Sequence, residues 1–260
     1  MDIERILTVG INAAYNGGRV LRSFLGKIKD PDHKGAIDLV TEADLGSEKV
    51  IIETIRKAFP DHAILAEESG GSGDNSKSRW IIDPLDGTTN YTHQLGLFSV
   101  SIAFESAGKI AAGIVLNPVS GELFTAVEGQ GAWLNARPIQ ISGTLKVSDS
   151  LLVTGFPYNF KEIFHDVMFR FANCQGASQG VRRLGSASLD LCFLSCGRFD
   201  GYWEQNLKPW DTAAGSLIAR ESGAVITDFS NRAYSIYGKE ILATNGWVHE
   251  EMLGLLKEDA

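Results

Sequence analysis

The chain has 260 residues, with 32 Asp and Glu against 24 Lys and Arg, and a formal net charge of -8 at pH 7. At about 150 residues per domain, this length allows roughly 1.7 domains, either one large domain or two halves sharing a core. The acidic balance, with no run of Lys or Arg, excludes a surface that coats nucleic acid or an anionic membrane. The longest apolar stretches, such as 110–116, fall short of the ~20 residues that span a bilayer, and the first ten residues carry two acids where a secretory signal carries bases. A cytoplasmic protein is expected. Three cysteines in a chain this long make no disulfide framework, and Cys192 and Cys196 are spaced to share one side of a buried helix. Glycine stands out at 28 residues, where average usage of about 7% predicts roughly 18.

In chain order, Ile3, Ile6, Leu7, Ala14, Leu21, Phe24 and Leu25 recur at helical spacing and predict one amphipathic helix over the first ~25 residues, weakened by Gly17 and Gly18. A second helix is predicted over 44–59, with Val50, Ile51, Thr54, Ile55, Ala58 and Phe59 inward and Pro60 as its stop. Residues 63–66 and 80–82 read as short buried strands that end in acid, Glu67-Glu68 after the first and Asp83 after the second. The Gly-Ser-rich stretch 70–78 between them reads as a loop. Residues 98–141 turn to β-branched and alternating segments separated by turn residues, which predicts an antiparallel meander. Beyond it, strands are predicted at 151–154, 199–203, 225–229 and 241–244, with helices at 160–171, 186–196, 212–222 and 248–257. Elements in this ratio predict layered α and β structure, with a composition break near Asp149 dividing residues 1–148 from 149–260.

The densest chemistry lies in WIIDPLDGTTN at 80–90. Asp83 and Asp86 share one stiff turn with Pro84 and Gly87, and two carboxylates so close repel each other unless a cation sits between them. Oxygen ligands alone select Mg²⁺, Mn²⁺ or Ca²⁺ over Zn²⁺, and the Leu85 carbonyl can supply a third oxygen. The backbone N–H groups of Gly87 and Thr88, with the Thr88 hydroxyl, form a nest suited to phosphate. Taken alone, Asp-Pro-Leu-Asp-Gly also fits an ordinary turn. Thr41 to Asp44 likewise fits a helix-capping pattern in which Asp44 only satisfies backbone donors.

WIIDPLDGTTNYTHQLGLFSVSIA resembles, nearly residue for residue, the signature of the inositol monophosphatase family of Mg²⁺-dependent, lithium-sensitive sugar and polyol phosphatases. IDLVTEAD at 37–44, ILAEES at 64–69, GSASLDL at 185–191 and KPWDTAAG at 208–215 resemble the family's other blocks, in the family order and across almost the whole chain. Agreement of five ordered blocks is far more specific than one short pattern.

The resemblance implies a single catalytic domain over 1–260 with a layered αβαβα sandwich fold. It implies hydrolysis of a phosphate monoester, most directly myo-inositol 1-phosphate. Fructose 1,6-bisphosphate, histidinol phosphate and a 3′-phosphoadenosine nucleotide are the alternative substrates on the same frame. It implies two or three Mg²⁺ per site, held by Glu67, Asp83, the Leu85 carbonyl, Asp86 and Asp211, with a two-metal displacement at phosphorus. Asp44 and Thr88 match the pair that orients the attacking water. Asp86, Gly87, Thr88, Gly185, Ser186, Ala187 and Glu204 match substrate-side positions, although a glutamate at a strand end is otherwise a solvated acid.

Homodimers are common in the family. Some bacterial relatives that resemble this chain around Arg182-Arg183 associate with the transcription machinery, so RNA polymerase is a further candidate partner, with no direct nucleic-acid or membrane binding. The five histidines show no metal-ligand spacing and read as surface or core residues, and Tyr202, Trp203 and Trp210 read as core and pocket wall. If Asp44, Glu67, Asp83, Asp86 and Asp211 converge, five of the eight excess negative charges belong to one cavity.

Overall fold

A computed structural model describes residues 2–27, 32–33, 39–40, 42–72 and 78–257. The elements begin with α1 (Ile3–Phe24), β1 (Asp32–His33), β2 (Leu39–Val40), α2 (Glu42–Ala58), β3 (Ala63–Ala66), β4 (Gly70–Ser72), β5 (Ser78–Asp86) and α3 (Thr88–Thr92). The meander follows as β6 (Ser99–Ser106), β7 (Lys109–Asn117), β8 (Glu122–Val127), β9 (Ala132–Leu134) and β10 (Arg137–Ile139). The second half comprises β11 (Leu151–Thr154), α4 (Phe164–Ala177), β12 (Gly180–Arg182), α5 (Ala187–Ser195), β13 (Gly201–Gln205), α6 (Pro209–Glu221), β14 (Val225–Thr227), β15 (Glu240–Thr244) and α7 (His249–Leu256).

Two larger sheets organise these elements. The first has the order β10-β9-β8-β7-β6-β5-β3-β4, antiparallel except where β3 runs parallel to β5. The second has the order β12-β11-β13-β15-β14. Side chains on β5 alternate between its two faces: Trp80 and Ile82 pack with α1 and α2, while Ile81 joins a core shared with α5, α6 and the second sheet. Leu152, Trp203 and Leu242 on the far face of the second sheet pack against Cys174 of α4, Val248 just before α7 and Met252 within it. The layers are therefore helix, sheet, helix, sheet, helix, which is the αβαβα arrangement expected. Every residue of α5 is buried, as befits a helix apolar on all sides and enclosed between sheets. Among the described residues no helix is long and apolar enough to cross a membrane.

Several sequence expectations are corrected. The glycines in α1 do not interrupt it; a Cβ at Gly17 would lie 2.7 Å from Ile51 Cδ1, so its absence lets α2 pack close. The inward face of α2 is Ala43, Asp44, Ser47, Glu48, Ile51 and Ile55 rather than one containing Val50. Strand β5 does not end at Asp83 but runs to Asp86 with a register shift between the two acids, where Pro84 has no N–H for the ladder. Helix α4 starts at Phe164 instead of 160, because 158–163 are turns, and the edge strand β12 was not anticipated. Of the expected loop 70–78, Gly70–Ser72 forms β4 on β3 and Ser78 opens β5, while 73–77, together with the proposed cap Thr41 and part of the 37–44 block, lie outside the described residues.

Candidate active site

The end of β5 supplies the floor of the site. Asp83 is 2% exposed, and its Oδ1 accepts the Leu85 N–H at 3.0 Å. The Thr88 hydroxyl donates to the Leu85 carbonyl at 3.1 Å, so that carbonyl turns toward the residue expected to orient water. Gly87 holds φ at +97°, the left-handed region glycine tolerates, and this aims α3 away from the strand. Asn90 on α3 donates to the Leu97 carbonyl at 2.6 Å and to the Leu184 carbonyl at 2.8 Å, tying this turn to the loop before α5.

Helix α2 holds the same region from below. Ser47 donates to the Pro84 carbonyl at 3.0 Å. Glu48 accepts the N–H groups of Glu68 at 2.9 Å and Ser69 at 3.0 Å, bracing the turn that presents Glu67. Asp44, Ser47 and Glu48 stand at i, i+3 and i+4 on one buried helix face, a spacing readable in the sequence. Ser47 and Glu48 were nevertheless missed, because polar residues on a helix read as its solvent side.

The remaining acids are Asp86, at the end of β5 against the start of α5, and Asp211, at the start of α6. Asp86 Oδ2 accepts from the Ser186 hydroxyl at 2.7 Å, the Ser188 N–H at 2.8 Å and the Ser188 hydroxyl at 2.6 Å. The N–H of Ala187 also serves Asp86. The N–H groups of Ala187 and Ser188 thus face the Asp86 carboxylate, while Gly185, Ser186 and Ala187 all line the cleft. Asp211 is the third residue of α6 after Pro209 at N1, and its Oδ2 accepts the Lys208 N–H at 2.6 Å. Ser188 lies inside the GSASLDL block but had been given no role.

Electrostatics bind these acids into one group. The Asp83 carboxyl is pushed well above the usual carboxylate range by burial first, then by Glu67, Asp86, Asp211 and Asp44. Burial also raises Asp86, against the opposing hydrogen bonds from Ser188 and Ser186. Asp211 is pushed up by burial to about 8, with the Lys208 N–H opposing. Asp44, Glu67, Asp83, Asp86 and Asp211 therefore do converge. Among the described residues, neither Asp83, Asp86 nor Asp211 forms an ion pair with Lys or Arg.

Glu204 is buried on β13, accepts from Tyr202 Oη at 2.8 Å, and is pushed up to about 7 by burial. Asp190 of α5 is fully buried with neither carboxylate oxygen hydrogen-bonded, and its carboxyl is raised well above the usual range by burial, Glu204 and Asp86, with Arg183 opposing. A buried carboxyl without partners is held neutral. Sequence reasoning missed it because the neighbouring apolar residues of α5 mark the segment as core.

A cleft of about 520 Å³ joins these parts. Its lining combines Glu67, Asp86, Gly87, Thr88 and Asp211 with Gly185, Ser186, Ala187 and Glu204 and with the aromatic residues Phe156, Tyr158 and Phe160. Asp44, Asp83 and Leu85 lie behind this lining, each at most 2% exposed. Trp210 is pocket wall and Tyr202 and Trp203 are core, as expected. The arginine pair divides: Arg182 is exposed on the edge strand β12, whereas Arg183 lines the cleft with its guanidinium 5.9 Å from the Phe156 ring. His62 accepts from the Trp80 indole at 3.1 Å and His249 sits between Thr227 and Thr244, so both are structural.

Among the described residues no group of three His, Cys, Asp or Glu side chains is closed tightly enough to hold an ion as it stands. The acids are turned onto protein donors: the Leu85 N–H for Asp83, Ser186 and Ser188 for Asp86, and the Lys208 N–H for Asp211. The donor chemistry nonetheless fits a hard divalent cation, since it is all oxygen, and mutual repulsion of the acids is what such a charge relieves.

The chain matches the inositol monophosphatase family over residues 2–258. It is 44% identical over 253 residues to the inositol-1-monophosphatase of Synechocystis sp., covering 96% of this chain and 88% of that protein. It is 38% identical over 250 residues to the Nus factor SuhB of Pseudomonas aeruginosa, covering 94% of this chain and 92% of that one. Among solved structures, the inositol monophosphatase of Anabaena (Nostoc) sp. superposes with a TM-score of 0.90 at 42% identity, covering 98% of this chain and 96% of that chain. With its acids, its serine clamp and its cleft in the order of the shared blocks, the chain belongs to the inositol monophosphatase family.

Proposed function

We propose that this phosphoric monoester hydrolase acts on the phosphate ester of a small polyol, with myo-inositol 1-phosphate as its best substrate. The observation that carries this reading is one cleft lined both by members of the acid cluster, Glu67, Asp86 and Asp211, and by Glu204. Glu67, Asp83, the Leu85 carbonyl, Asp86 and Asp211 would hold two Mg²⁺, with a third near Glu67. Mg²⁺ when bound supplies Lewis acidity and an activated water.

The chain's own groups do the rest. With Mg²⁺ on the Leu85 carbonyl, the Thr88 hydroxyl would turn its proton from that carbonyl toward Asp44, which is buried in α2, and accept a hydrogen bond from the attacking water. The N–H groups of Gly87 and Thr88 receive phosphate oxygens. The oxygen of water bonds to phosphorus as the ester P–O bond breaks, and the departing polyol oxygen takes up a proton. Glu204, with the backbone of Gly185 and Ser186, meets the hydroxyls of the leaving alcohol.

Phosphate release from myo-inositol 1-phosphate, fructose 1,6-bisphosphate, histidinol phosphate and a 3′-phosphoadenosine nucleotide, with Mg²⁺ titrated, tests the reading. The inositol ester should give the highest kcat/KM, activity should require Mg²⁺, and Asp83→Asn should abolish it. Preference for another ester overturns the substrate assignment. Among the alternatives the nucleotide is favoured by the aromatic residues in the cleft lining, of which Phe156 and Phe160 stack with ring centroids 5.0 Å apart.

The same reading carries a cytoplasmic homodimer inhibited by Li⁺, which sedimentation and a Li⁺ titration examine. A partner role with RNA polymerase is suggested by the relatives named Nus factor SuhB and by exposed Arg182. Co-purification that survives Asp83→Asn supports that role, and its absence alongside intact activity dismisses it.

A further inference from the structure

We infer that Gly155 and Tyr202 are positioning residues that fix where the Glu204 carboxylate stands in the cleft, and thereby set selectivity for hydroxyl-bearing phosphate esters. The inference rests on the reading that Glu204 meets substrate hydroxyls. Three observations carry it.

The first is the way Glu204 is anchored. Tyr202 and Glu204 are two apart on β13, so their side chains leave the same face of the sheet. Tyr202 is fully buried within the core between the two sheets, and its hydroxyl donates to Glu204 Oε2 at 2.8 Å. Oε1 accepts nothing from the described residues and is not enclosed, while the residue itself lines the cleft. One oxygen is held by the protein and the other is left to a ligand.

The second is the space beneath it. Strands β11 and β13 are parallel with Thr154 opposite Trp203, and the Thr154 hydroxyl donates to the Trp203 carbonyl at 2.6 Å. That register delivers the next residue, Gly155, against the next residue of β13, Glu204. A Cβ built on Gly155 collides with both carboxylate oxygens and with the carbon between them. Any side chain here and the present carboxylate position exclude each other.

The third observation concerns the backbone. Gly155 is not among the glycines at positive φ, so glycine is not required there for conformation. Its requirement is for room alone. Alanine at 155 is compatible with the chain path, and its consequence falls on Glu204.

The test uses the full chain with saturating Mg²⁺ and measures phosphate release from myo-inositol 1-phosphate and from ethyl phosphate, which has no hydroxyl to recognise. The readout is the ratio of the two kcat/KM values in Gly155→Ala, Tyr202→Phe, Glu204→Gln, Glu204→Asp and the Gly155→Ala/Glu204→Asp double variant. Gly155→Ala should lower the ratio about tenfold or more, chiefly through KM for the inositol ester, and loss of the single Tyr202 hydrogen bond about three- to tenfold.

Shortening the acid withdraws its carboxylate by about one bond length, ~1.5 Å. The double variant should therefore recover a higher ratio than Gly155→Ala, the non-additivity expected of two groups in contact. An unchanged ratio in both Gly155→Ala and Tyr202→Phe, with Glu204→Gln lowering it, overturns the inference and leaves the role of Glu204 standing. Equal losses on both esters, with no recovery in the double variant, overturn it as well. An unchanged ratio in Glu204→Gln overturns the underlying reading itself. If Gly155→Ala does not fold, Tyr202→Phe and Glu204→Gln decide by the same ratio.

Discussion

Ser188 donates twice to one oxygen of Asp86, from its backbone N–H at 2.8 Å and from its hydroxyl at 2.6 Å, across 102 positions of sequence. These two hydrogen bonds join the end of β5 to the start of α5, so the orientation of a proposed metal ligand depends on a helix in the other half of the chain. Groups that orient ligands in this way typically contribute about 10- to 100-fold in metal affinity. Ser188→Ala keeps the N–H bond and loses the hydroxyl, and should raise the Mg²⁺ concentration for half-maximal activity by about tenfold. Activity measured against Mg²⁺ concentration checks this; an unaltered midpoint would show that the hydroxyl does not orient Asp86.

The buried acids set the stability of the metal-free protein. Asp83 and Asp211 have carboxyls raised by burial, Asp211 to about 8, so the folded chain binds more protons than the unfolded one above their ordinary range. Stability is then greatest at low pH and is lost as pH rises from about 4 toward 8. Without metal, melting temperature should fall through this window, and Asp83→Asn should flatten the fall and raise the temperature at pH 8. Mg²⁺ at 100 times its Kd should stabilise by about 2.7 kcal/mol, about 5–10 °C for a chain of this size, with a larger effect at pH 8 than at pH 6. Calorimetry with chelator and with Mg²⁺ measures both, and an unchanged melting temperature on saturation counts against the metal site.

Glu204 titrates in a range that kinetics can see. Burial raises its carboxyl to about 7, so the acceptor is neutral below that pH and charged above it in the free protein. A charged acceptor strengthens a hydrogen bond by about 1 kcal/mol, roughly fivefold. The ratio of kcat/KM for myo-inositol 1-phosphate to that for ethyl phosphate should climb about fivefold as pH rises through 7. Glu204→Gln should abolish the climb. For folding the sign is opposite: the stabilising contribution of the neutral acid is lost between about 4.5 and about 7.

Glu48 braces the cleft through the chain next to Glu67. Its carboxylate satisfies the N–H groups of Glu68 and Ser69, and Glu48→Ala leaves both unpaired. Glu68 is half-buried and Ser69 exposed, so water takes up part of the loss. Glu48→Ala should lower stability by about 1–2 kcal/mol in urea unfolding and weaken Mg²⁺ activation by displacing Glu67, while Glu48→Gln, which retains one acceptor oxygen, should be milder on both counts.

Much of this protein was legible from its residues. Short apolar runs ending in acid marked β3 and β5, the alternating stretch marked the meander, and the spacing of Asp83, Pro84, Asp86 and Gly87 marked an oxygen-rich site for a hard cation. These readings rest on local chemistry: period-2 burial, the rigidity of proline, and the repulsion of neighbouring carboxylates are all properties of a few consecutive residues. Local pattern misplaced the end of β5, because a strand that bulges around Pro84 and continues is indistinguishable in sequence from one that stops.

Tertiary structure alone decided which polar residues turn inward. Ser47 and Glu48 read as the wet side of a helix until the turns at Pro84 and Glu67 arrive to use them. Asp190 stands in an apolar stretch with nothing local to mark it, and it is the packing of two sheets over it that leaves both oxygens without a hydrogen bond and raises its carboxyl. Gly155 read as one glycine among 28 until the β11–β13 register set it against Glu204. In each case the partner is remote in sequence, and its distance is set by how sheets and helices pack. The sequence by itself determined the kind of chemistry present, because that depends on which atoms occur together locally, while the charge, orientation and room of each group were decided by neighbours that only folding brings near.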